Sequence, residues 1–87
     1  MTRGDLASLV ENVRSAAPRT VLLTDFDGTL APIVDDPGAA RPLPGASDVL
    51  EQLGGVLLDV VVVSGRPVEF LTAHLPASIS IVGLYGL

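Results

Sequence analysis

The sequence predicts an α/β fold with three parallel strands, in which helix and strand alternate in the order α-β-α-β-α-β. Three observations support this. Each connection between the strand-like apolar runs contains a segment with helical spacing, as parallel strands require. Residues 56–63 are apolar except for Asp59, which is typical of a strand buried on both faces. The apolar residues are mostly Val, Leu, Ile and Ala, as in aliphatic sheet cores. We therefore expect half of a doubly wound fold with right-handed connections.

The first predicted helix covers residues 5–16. Asp5 suits its N-cap or its first turn, where an acid interacts favourably with the helix dipole. Pro18 follows the helix and prevents its continuation. The apolar residues recur at i, i+3, i+4 and i+7 and form one face: Leu6, Leu9, Val10 and Val13.

Two further helices are predicted between the strands. The first covers residues 44–53, where Pro44 suits the first turn and Gly54 lies just beyond the end. The second covers residues 67–75 and is closed by Pro76. Both have apolar residues at helical spacing, so each is expected to pack one face on the sheet.

The predicted strands are residues 20–24, 56–63 and 79–82. Residues 31–44 hold four Pro and one Gly and are therefore expected to form a loop. A second loop is expected from residue 83 to the end. In a doubly wound fold, the chemistry lies at the carboxyl ends of the strands. The polar residues that follow the first two strands should therefore meet at one edge of the sheet.

The composition of the 87 residues excludes several classes of function. The net charge is −5 and the five basic residues form no cluster, so nucleic-acid binding is not expected. Without Cys, there is no disulfide and no thiolate metal site. The sequence shows neither the apolar segment of a signal peptide nor a run long enough to span a membrane. We therefore expect a soluble, cytoplasmic protein.

The first polar cluster is Asp25-Phe26-Asp27-Gly28-Thr29, directly after the first strand. Residues i and i+2 of a strand lie on one side, so Asp25 and Asp27 are placed to address one ligand. Two close carboxylates repel each other unless a cation lies beside them, and Mg²⁺ prefers such oxygen ligands. One carboxylate can then attack a phosphoryl group while the other transfers protons. Gly28 allows a backbone turn that presents N–H groups to an anion. The alternative is an ordinary Asp-Gly turn.

The second polar cluster is Ser64-Gly65-Arg66-Pro67, between the second strand and the third helix. A helix N-terminus favours phosphate, Ser64 offers a hydroxyl and Arg66 offers a bidentate cation. The alternative is that Ser64 caps the helix and Arg66 is solvated. The two clusters together favour a phosphate-binding site. We assign no catalytic or binding role to several other polar residues: Asp35, Asp36, Asp59, His74 and Tyr85.

These motifs resemble a known family. Asp25-Phe26-Asp27-Gly28-Thr29-Leu30 resembles motif I (DxDGT) of the haloacid dehalogenase (HAD) superfamily. Val63-Ser64-Gly65-Arg66 resembles motif II of the trehalose-6-phosphate phosphatases. Residues 30–33, the Pro-rich loop and residues 83–86 are also similar to that trehalose-phosphatase branch. The resemblance implies a HAD-like, Rossmann-like core domain, of which residues 1–87 would be the N-terminal part.

The resemblance also implies a reaction and its residues. Asp25 would be the nucleophile that forms an aspartyl-phosphate and would bind Mg²⁺ through its side chain. Asp27 would be the general acid and base and would bind Mg²⁺ through its backbone carbonyl. The reaction would be hydrolysis of trehalose 6-phosphate to trehalose and phosphate, as part of trehalose biosynthesis. The implied phosphate-binding residues are Gly28, Thr29, Ser64, Gly65 and Arg66.

The sequence departs from the family pattern beyond its second motif. It has no Lys, and no acidic residue follows Glu69, so motifs III and IV and the cap domain are absent from it. We therefore expect a truncated chain that shows little activity without a C-terminal remainder or a complementing chain. One alternative is another HAD sugar-phosphate phosphatase, acting on sucrose or mannosylglycerate phosphates. The other is a non-catalytic remnant that serves as a binding module.

Overall fold

The computed structural model describes residues 2–86 and has the predicted alternation of helix and strand. None of the helices in this part of the chain has the length and apolar character needed to cross a membrane. The helices are α1 (Arg3–Ser15), α2 (Ala46–Gly54) and α3 (Val68–His74). The strands are β1 (Val21–Thr24), β2 (Asp59–Val63) and β3 (Ser80–Val82). Short 3-10 turns lie at Ala17–Arg19, Pro37–Ala39 and Leu84–Gly86.

The three strands form one parallel sheet in the order β1-β2-β3, which confirms the predicted fold class. Val21 pairs with Asp59 at the amino end of β1, and Thr24 pairs with Val62 at its carboxyl end. On the other side of β2, Val63 pairs with Val82. All three strands therefore end at the same edge, where both polar clusters were expected.

The core lies on one face of the sheet. Val60 and Val62 of β2 are buried together with Leu50 of α2 and Leu71 of α3. The alternate residues of β2 are only half-buried. The sequence predicted that β2 is buried on both faces, but within residues 2–86 only one of its faces is buried.

The first helix was predicted correctly, but it begins at Arg3, two residues before the predicted start. Thr2 is the N-cap: its hydroxyl accepts from the Asp5 N–H at 3.1 Å, and the Asp5 carboxylate accepts from the Thr2 N–H at 3.0 Å. Asp5 is thus the first-turn acid of a capping box. The apolar face remains between 43% and 52% exposed: Leu6, Leu9, Val10 and Val13.

The second strand is shorter than predicted, because residues 56 and 57 form a turn at the end of α2 instead of pairing as strand. The N–H groups of Val56 and Leu57 both donate to the Leu53 carbonyl, at 3.1 and 2.8 Å. The Leu58 N–H donates to the Thr20 carbonyl at 2.9 Å, and residue pairing with β1 begins at Asp59. A run of apolar residues marks a buried segment but does not show where the ladder of hydrogen bonds begins.

Candidate active site

The carboxyl edge of the sheet brings together three segments, each following a strand. The Ser64 N–H donates to the Val82 carbonyl at 2.9 Å, and the Tyr85 N–H donates to the Ser64 carbonyl at 2.8 Å. The segments that follow β2 and β3 are therefore tied together. The segment that follows β1 is joined to them through Asp27 and Arg66.

Asp25 is exposed at the end of β1. Its Oδ1 accepts from the Phe26 backbone N–H at 2.8 Å, which fixes the orientation of the carboxylate. Its Oδ2 has no hydrogen-bond partner within residues 2–86, and Asp25 lines an open cavity that Tyr85 also lines. An oriented carboxylate with one free oxygen is suited to nucleophilic attack or to metal binding.

Asp27 forms a bidentate ion pair with Arg66. Arg66 Nε donates to Oδ2 at 2.7 Å, and Nη2 donates to Oδ1 at 2.6 Å. The side chains are 36% exposed for Asp27 and 16% for Arg66, so the pair is partly shielded from water. The hydrogen bonds from Arg66, and then its charge, hold the pKa of Asp27 below its ordinary value, although partial burial opposes this. Asp27 is therefore ionised at neutral pH.

Arg66 has further contacts that fix its position. Nη1 donates to the Pro37 carbonyl at 2.6 Å, which ties the Pro-rich loop to the site. The guanidinium carbon lies 4.4 Å from the centre of the Phe70 ring and 5.6 Å from that of Phe26, within the range of cation–π contacts. The hydrogen bonds to Asp27 raise the pKa of Arg66 above its usual value. Arg66 thus joins three segments of the chain, and the alternative of a solvated Arg66 is wrong.

The turn after Asp27 is closed by its own backbone. The Phe26 carbonyl accepts from the N–H groups of Thr29, Leu30 and Ala31, at 3.3, 2.9 and 3.0 Å. Gly28 has a φ of 79°, which favours glycine, and its N–H donates to the Ala31 carbonyl at 2.7 Å. The N–H groups of Gly28 and Thr29 are therefore engaged within the turn. A phosphate role for these two residues stays a prediction.

Ser64 is buried at the end of β2, with 2% of its surface exposed. Its hydroxyl oxygen accepts from the Arg66 backbone N–H at 3.1 Å. It does not cap α3, because the N-cap of that helix is Pro67 and no side chain caps it. The capping alternative is therefore wrong. Ser64 shapes the turn that carries Arg66.

The oxygen atoms in this region suit part of a magnesium site. Within residues 2–86, no three or more His, Cys, Asp or Glu side chains form a cluster able to hold a metal ion. Two oxygen atoms are available as metal ligands: Oδ2 of Asp25 and the backbone carbonyl oxygen of Asp27. Neither accepts a hydrogen bond from residues 2–86. Mg²⁺ commonly binds one or two carboxylates and takes its other ligands from water and phosphate. The donor set is therefore compatible with Mg²⁺, with most ligands supplied from elsewhere.

Sequence reasoning missed Tyr85. The structure places its ring beside Gly65, on the cavity that Asp25 also lines. The available signal was its position: Gly83-Leu84-Tyr85-Gly86 follows β3, at the same edge as the two polar clusters. The first two strands were expected to end at one edge of the sheet, and the third strand ends at that edge as well.

Comparisons with known proteins agree on one family. The sequence model of the family described as trehalose-phosphatase matches residues 23–86. A trehalose-phosphate phosphatase of Mycobacterium leprae is 48% identical over 50 residues, which is 58% of this chain and 11% of that protein. A trehalose-phosphatase of Saccharomyces cerevisiae is 38% identical over 77 residues, which is 87% of this chain and 8% of that protein.

A solved structure supports the same relationship. The C-terminal domain of Candida albicans trehalose-6-phosphate phosphatase matches with a TM-score of 0.76 and 30% sequence identity. The match covers 88% of this chain and 27% of that domain. This chain therefore spans about a quarter of the similar domain and a smaller share of the curated relatives.

Proposed function

Because this chain belongs to the trehalose-phosphatase family, we propose that it supplies the nucleophile and the acid–base group of a Mg²⁺-dependent phosphatase acting on trehalose 6-phosphate. The observation that carries the proposal is the pair of carboxylates after β1. Asp25 is exposed and one of its oxygens accepts no hydrogen bond from residues 2–86, and Asp27, two residues further on, is held by a bidentate pair with Arg66. The names of the relatives in Mycobacterium leprae and Candida albicans support the substrate.

In the first step, Asp25 Oδ2 attacks the phosphorus atom of the sugar phosphate. The bond between phosphorus and the sugar oxygen breaks, and an aspartyl-phosphate forms on Asp25. The departing sugar oxygen takes a proton from Asp27. The hydrogen bond from the Phe26 N–H to Oδ1 restrains the carboxylate and leaves Oδ2 free for the attack.

In the second step, a water molecule attacks the phosphorus atom of the aspartyl-phosphate. Asp27 accepts the proton of this water, inorganic phosphate leaves and the Asp25 carboxylate is restored. Asp27 suits the role of base as the structure has it, because Arg66 keeps it ionised. To act as acid, Asp27 must be protonated, which the pair with Arg66 disfavours. We therefore expect Arg66 to release one carboxylate oxygen when substrate binds.

The other proposed roles concern charge. When bound, Mg²⁺ neutralises negative charge on the phosphoryl group, and the side chain of Asp25 and the carbonyl of Asp27 are its proposed ligands. Three of the five N–H donors of Arg66 are engaged by Asp27 and Pro37, which leaves two for a phosphoryl oxygen. The remaining proposed phosphate-binding residues are Gly28, Thr29, Ser64 and Gly65.

We also propose that turnover requires protein groups beyond those of this sequence. The family resemblance implies a later Lys that binds phosphate and a further carboxylate that completes the Mg²⁺ site. This sequence has no Lys and no acidic residue after Glu69, so we expect a longer chain or a partner to supply these groups. A cytoplasmic location stays a prediction from the sequence.

The test is phosphate release from trehalose 6-phosphate in the presence of Mg²⁺. The chain is assayed alone and mixed with the part of the Candida albicans domain that it does not match. We expect little release from the chain alone and Mg²⁺-dependent release from the mixture. Asp25→Asn should abolish this release, whereas Glu51→Gln, the same loss of charge at an exposed position of α2, should preserve it. Release that survives Asp25→Asn would contradict the mechanism.

A parallel assay with sucrose and mannosylglycerate phosphates tests the substrate. We expect trehalose 6-phosphate to be turned over fastest. Faster turnover of another sugar phosphate would support the proposed chemistry but contradict trehalose 6-phosphate as the preferred substrate.

A further inference from the structure

The segment after β3 has an unusual backbone. Leu84 and Tyr85 both have positive φ, of 51° and 49°. Residues other than Gly, Asn and Asp rarely adopt this left-handed backbone conformation, and two such residues in succession are rarer still. Backbone strain of this kind persists where surrounding contacts enforce it, and it is concentrated at ligand and active sites.

The contacts that enforce this backbone come from the second polar cluster. The Leu84 N–H donates to the Arg66 carbonyl at 2.9 Å, and the Tyr85 N–H donates to the Ser64 carbonyl at 2.8 Å. Gly83 is buried against the same turn: a Cβ at Gly83 would lie 2.8 Å from the Arg66 carbonyl oxygen. The backbone of Tyr85 is therefore fixed relative to Ser64 and Arg66.

The Tyr85 ring lies against Gly65 but contributes little to the core. A Cβ at Gly65 would lie 2.6 Å from Cε2 of the ring and 3.1 Å from Cζ, so the ring occupies space that only glycine leaves free. Yet Tyr85 remains 73% exposed. Burial of the ring therefore does not explain why the strained backbone holds it there.

The ring forms one wall of the cavity above Asp25. This cavity has a volume of about 390 Å³, and its lining is Leu23, Thr24, Asp25, Val63 and Tyr85. Sites for small molecules typically have volumes of about 300–1,000 Å³ and combine apolar walls with a few polar groups. Here the carboxylate of Asp25 is the charged group, and the Tyr85 ring is the aromatic surface.

We propose that Tyr85 binds the sugar of the phosphate ester that Asp25 attacks, and thereby contributes to the choice of leaving group. A tyrosine ring offers an apolar face for the C–H groups of a sugar and a hydroxyl for one of its oxygens. Gly65 permits this placement of the ring, in addition to any contact with phosphate. The inference rests on the proposed function, because it assigns the sugar half of the same site.

The chain provides its own probe for this contact. Tyr85 is its single tyrosine and there is no tryptophan, so intrinsic tyrosine fluorescence reports on this residue alone. The full chain with Mg²⁺ is titrated with trehalose 6-phosphate, with trehalose and with inorganic phosphate, and binding is measured in parallel by calorimetry. We expect saturable fluorescence changes with both sugars and none with inorganic phosphate.

Three variants separate binding from folding. Tyr85→Asn removes the ring but suits positive φ, so we expect affinity for trehalose 6-phosphate to fall about tenfold while the thermal midpoint is unchanged or higher. Tyr85→Phe keeps the ring and should retain most of the affinity. Gly65→Ala should displace the exposed ring and weaken affinity for trehalose, which carries no phosphate, in the wild-type background. It should have no further effect on affinity for trehalose when combined with Tyr85→Asn.

The outcomes distinguish this inference from the proposed function. Calorimetric binding of trehalose 6-phosphate without a change in fluorescence, or with full affinity in Tyr85→Asn, would overturn the role of Tyr85 and leave the proposed function standing. A lower thermal midpoint of Tyr85→Asn with unchanged affinity would show that the ring is structural. Absence of binding by both methods would overturn this inference. The proposed function would fall with it only if the mixture with the Candida albicans segment also released no phosphate.

Discussion

Arg66 holds both carboxylate oxygens of Asp27 across 39 positions of the sequence, through Nε at 2.7 Å and Nη2 at 2.6 Å. The ends of β1 and β2 are thereby locked together by a planar cation whose two parallel donors match a carboxylate. The same guanidinium reaches the Pro37 carbonyl and stacks on Phe70. The proposed acid–base residue is therefore positioned by a residue that sequence reasoning assigned to phosphate.

Replacing Arg66 by Lys tests this positioning. Lysine keeps the charge but lacks the planar fork, so we expect Arg66→Lys to lower the free energy of unfolding by about 1 to 2 kcal/mol at neutral pH. The pKa of Asp27, followed by NMR of its carboxyl carbon, should rise toward its ordinary value. Arg14→Lys is the control, because Arg14 forms only an exposed pair with Glu11 and should change stability by less than about 0.5 kcal/mol. An unchanged Asp27 pKa in Arg66→Lys would contradict the assignment.

The dependence of stability on pH follows from the lowered pKa of Asp27. In the unfolded chain Asp27 titrates near 3.8, whereas in the folded chain Arg66 lowers this value. Between these two values the unfolded state binds more protons, so the contribution to stability is complete above the unfolded value and is lost as the pH falls through the folded value. Urea unfolding at a series of acidic pH values should therefore show a shallower dependence in Asp27→Asn than in the wild type.

Asp5 provides a comparison for that experiment. Its pKa is also lowered, first by its hydrogen bond with the Thr2 backbone and then by that with the Thr2 side chain, but it lies on the surface of α1. We expect Asp5→Asn to reduce the acidic dependence less than Asp27→Asn does. Equal slopes in the wild type and Asp27→Asn would show that the ion pair contributes nothing to stability.

Loss of Asp27 should impair turnover more than it impairs phosphate-ester binding. In the mixture with the Candida albicans segment, we expect Asp27→Asn to lower kcat for trehalose 6-phosphate by about 100- to 10,000-fold, because the sugar oxygen loses its proton donor. Substrates with better leaving groups need less protonation, so an aryl phosphate should be less affected. An equal loss for both substrates would indicate a structural defect instead of a missing acid.

Two glycines should respond in opposite ways to Ala. Gly83→Ala places a methyl group 2.8 Å from both the Arg66 carbonyl oxygen and Val68 Cγ2, so we expect a loss of about 1 to 3 kcal/mol in the free energy of unfolding. Gly55 has right-handed helical dihedral angles, and its nearest contact would be 3.4 Å, so Gly55→Ala should gain about 0.4 to 1 kcal/mol. Chemical denaturation measures both, and a neutral Gly83→Ala would contradict the close packing of the last segment.

The sequence by itself determined the alternation of helices and strands, the parallel sheet and the family. The run from Val60 to Val63 and the Pro and Gly residues that end the helices encode these features locally, through periodicity and backbone preference. It also placed Asp25 and Ser64 at one edge, because the strands of a parallel sheet all end on the same side.

Only the tertiary structure decided which partners these residues take. Arg66 binds Asp27 and the Pro37 carbonyl, and the Tyr85 ring covers Gly65, through contacts between segments far apart in sequence. Local patterns record the preference of each residue for a helix, strand or turn. Which donor reaches which acceptor depends on the register of the strands and on the path of the loops, and these are set by packing of the whole chain.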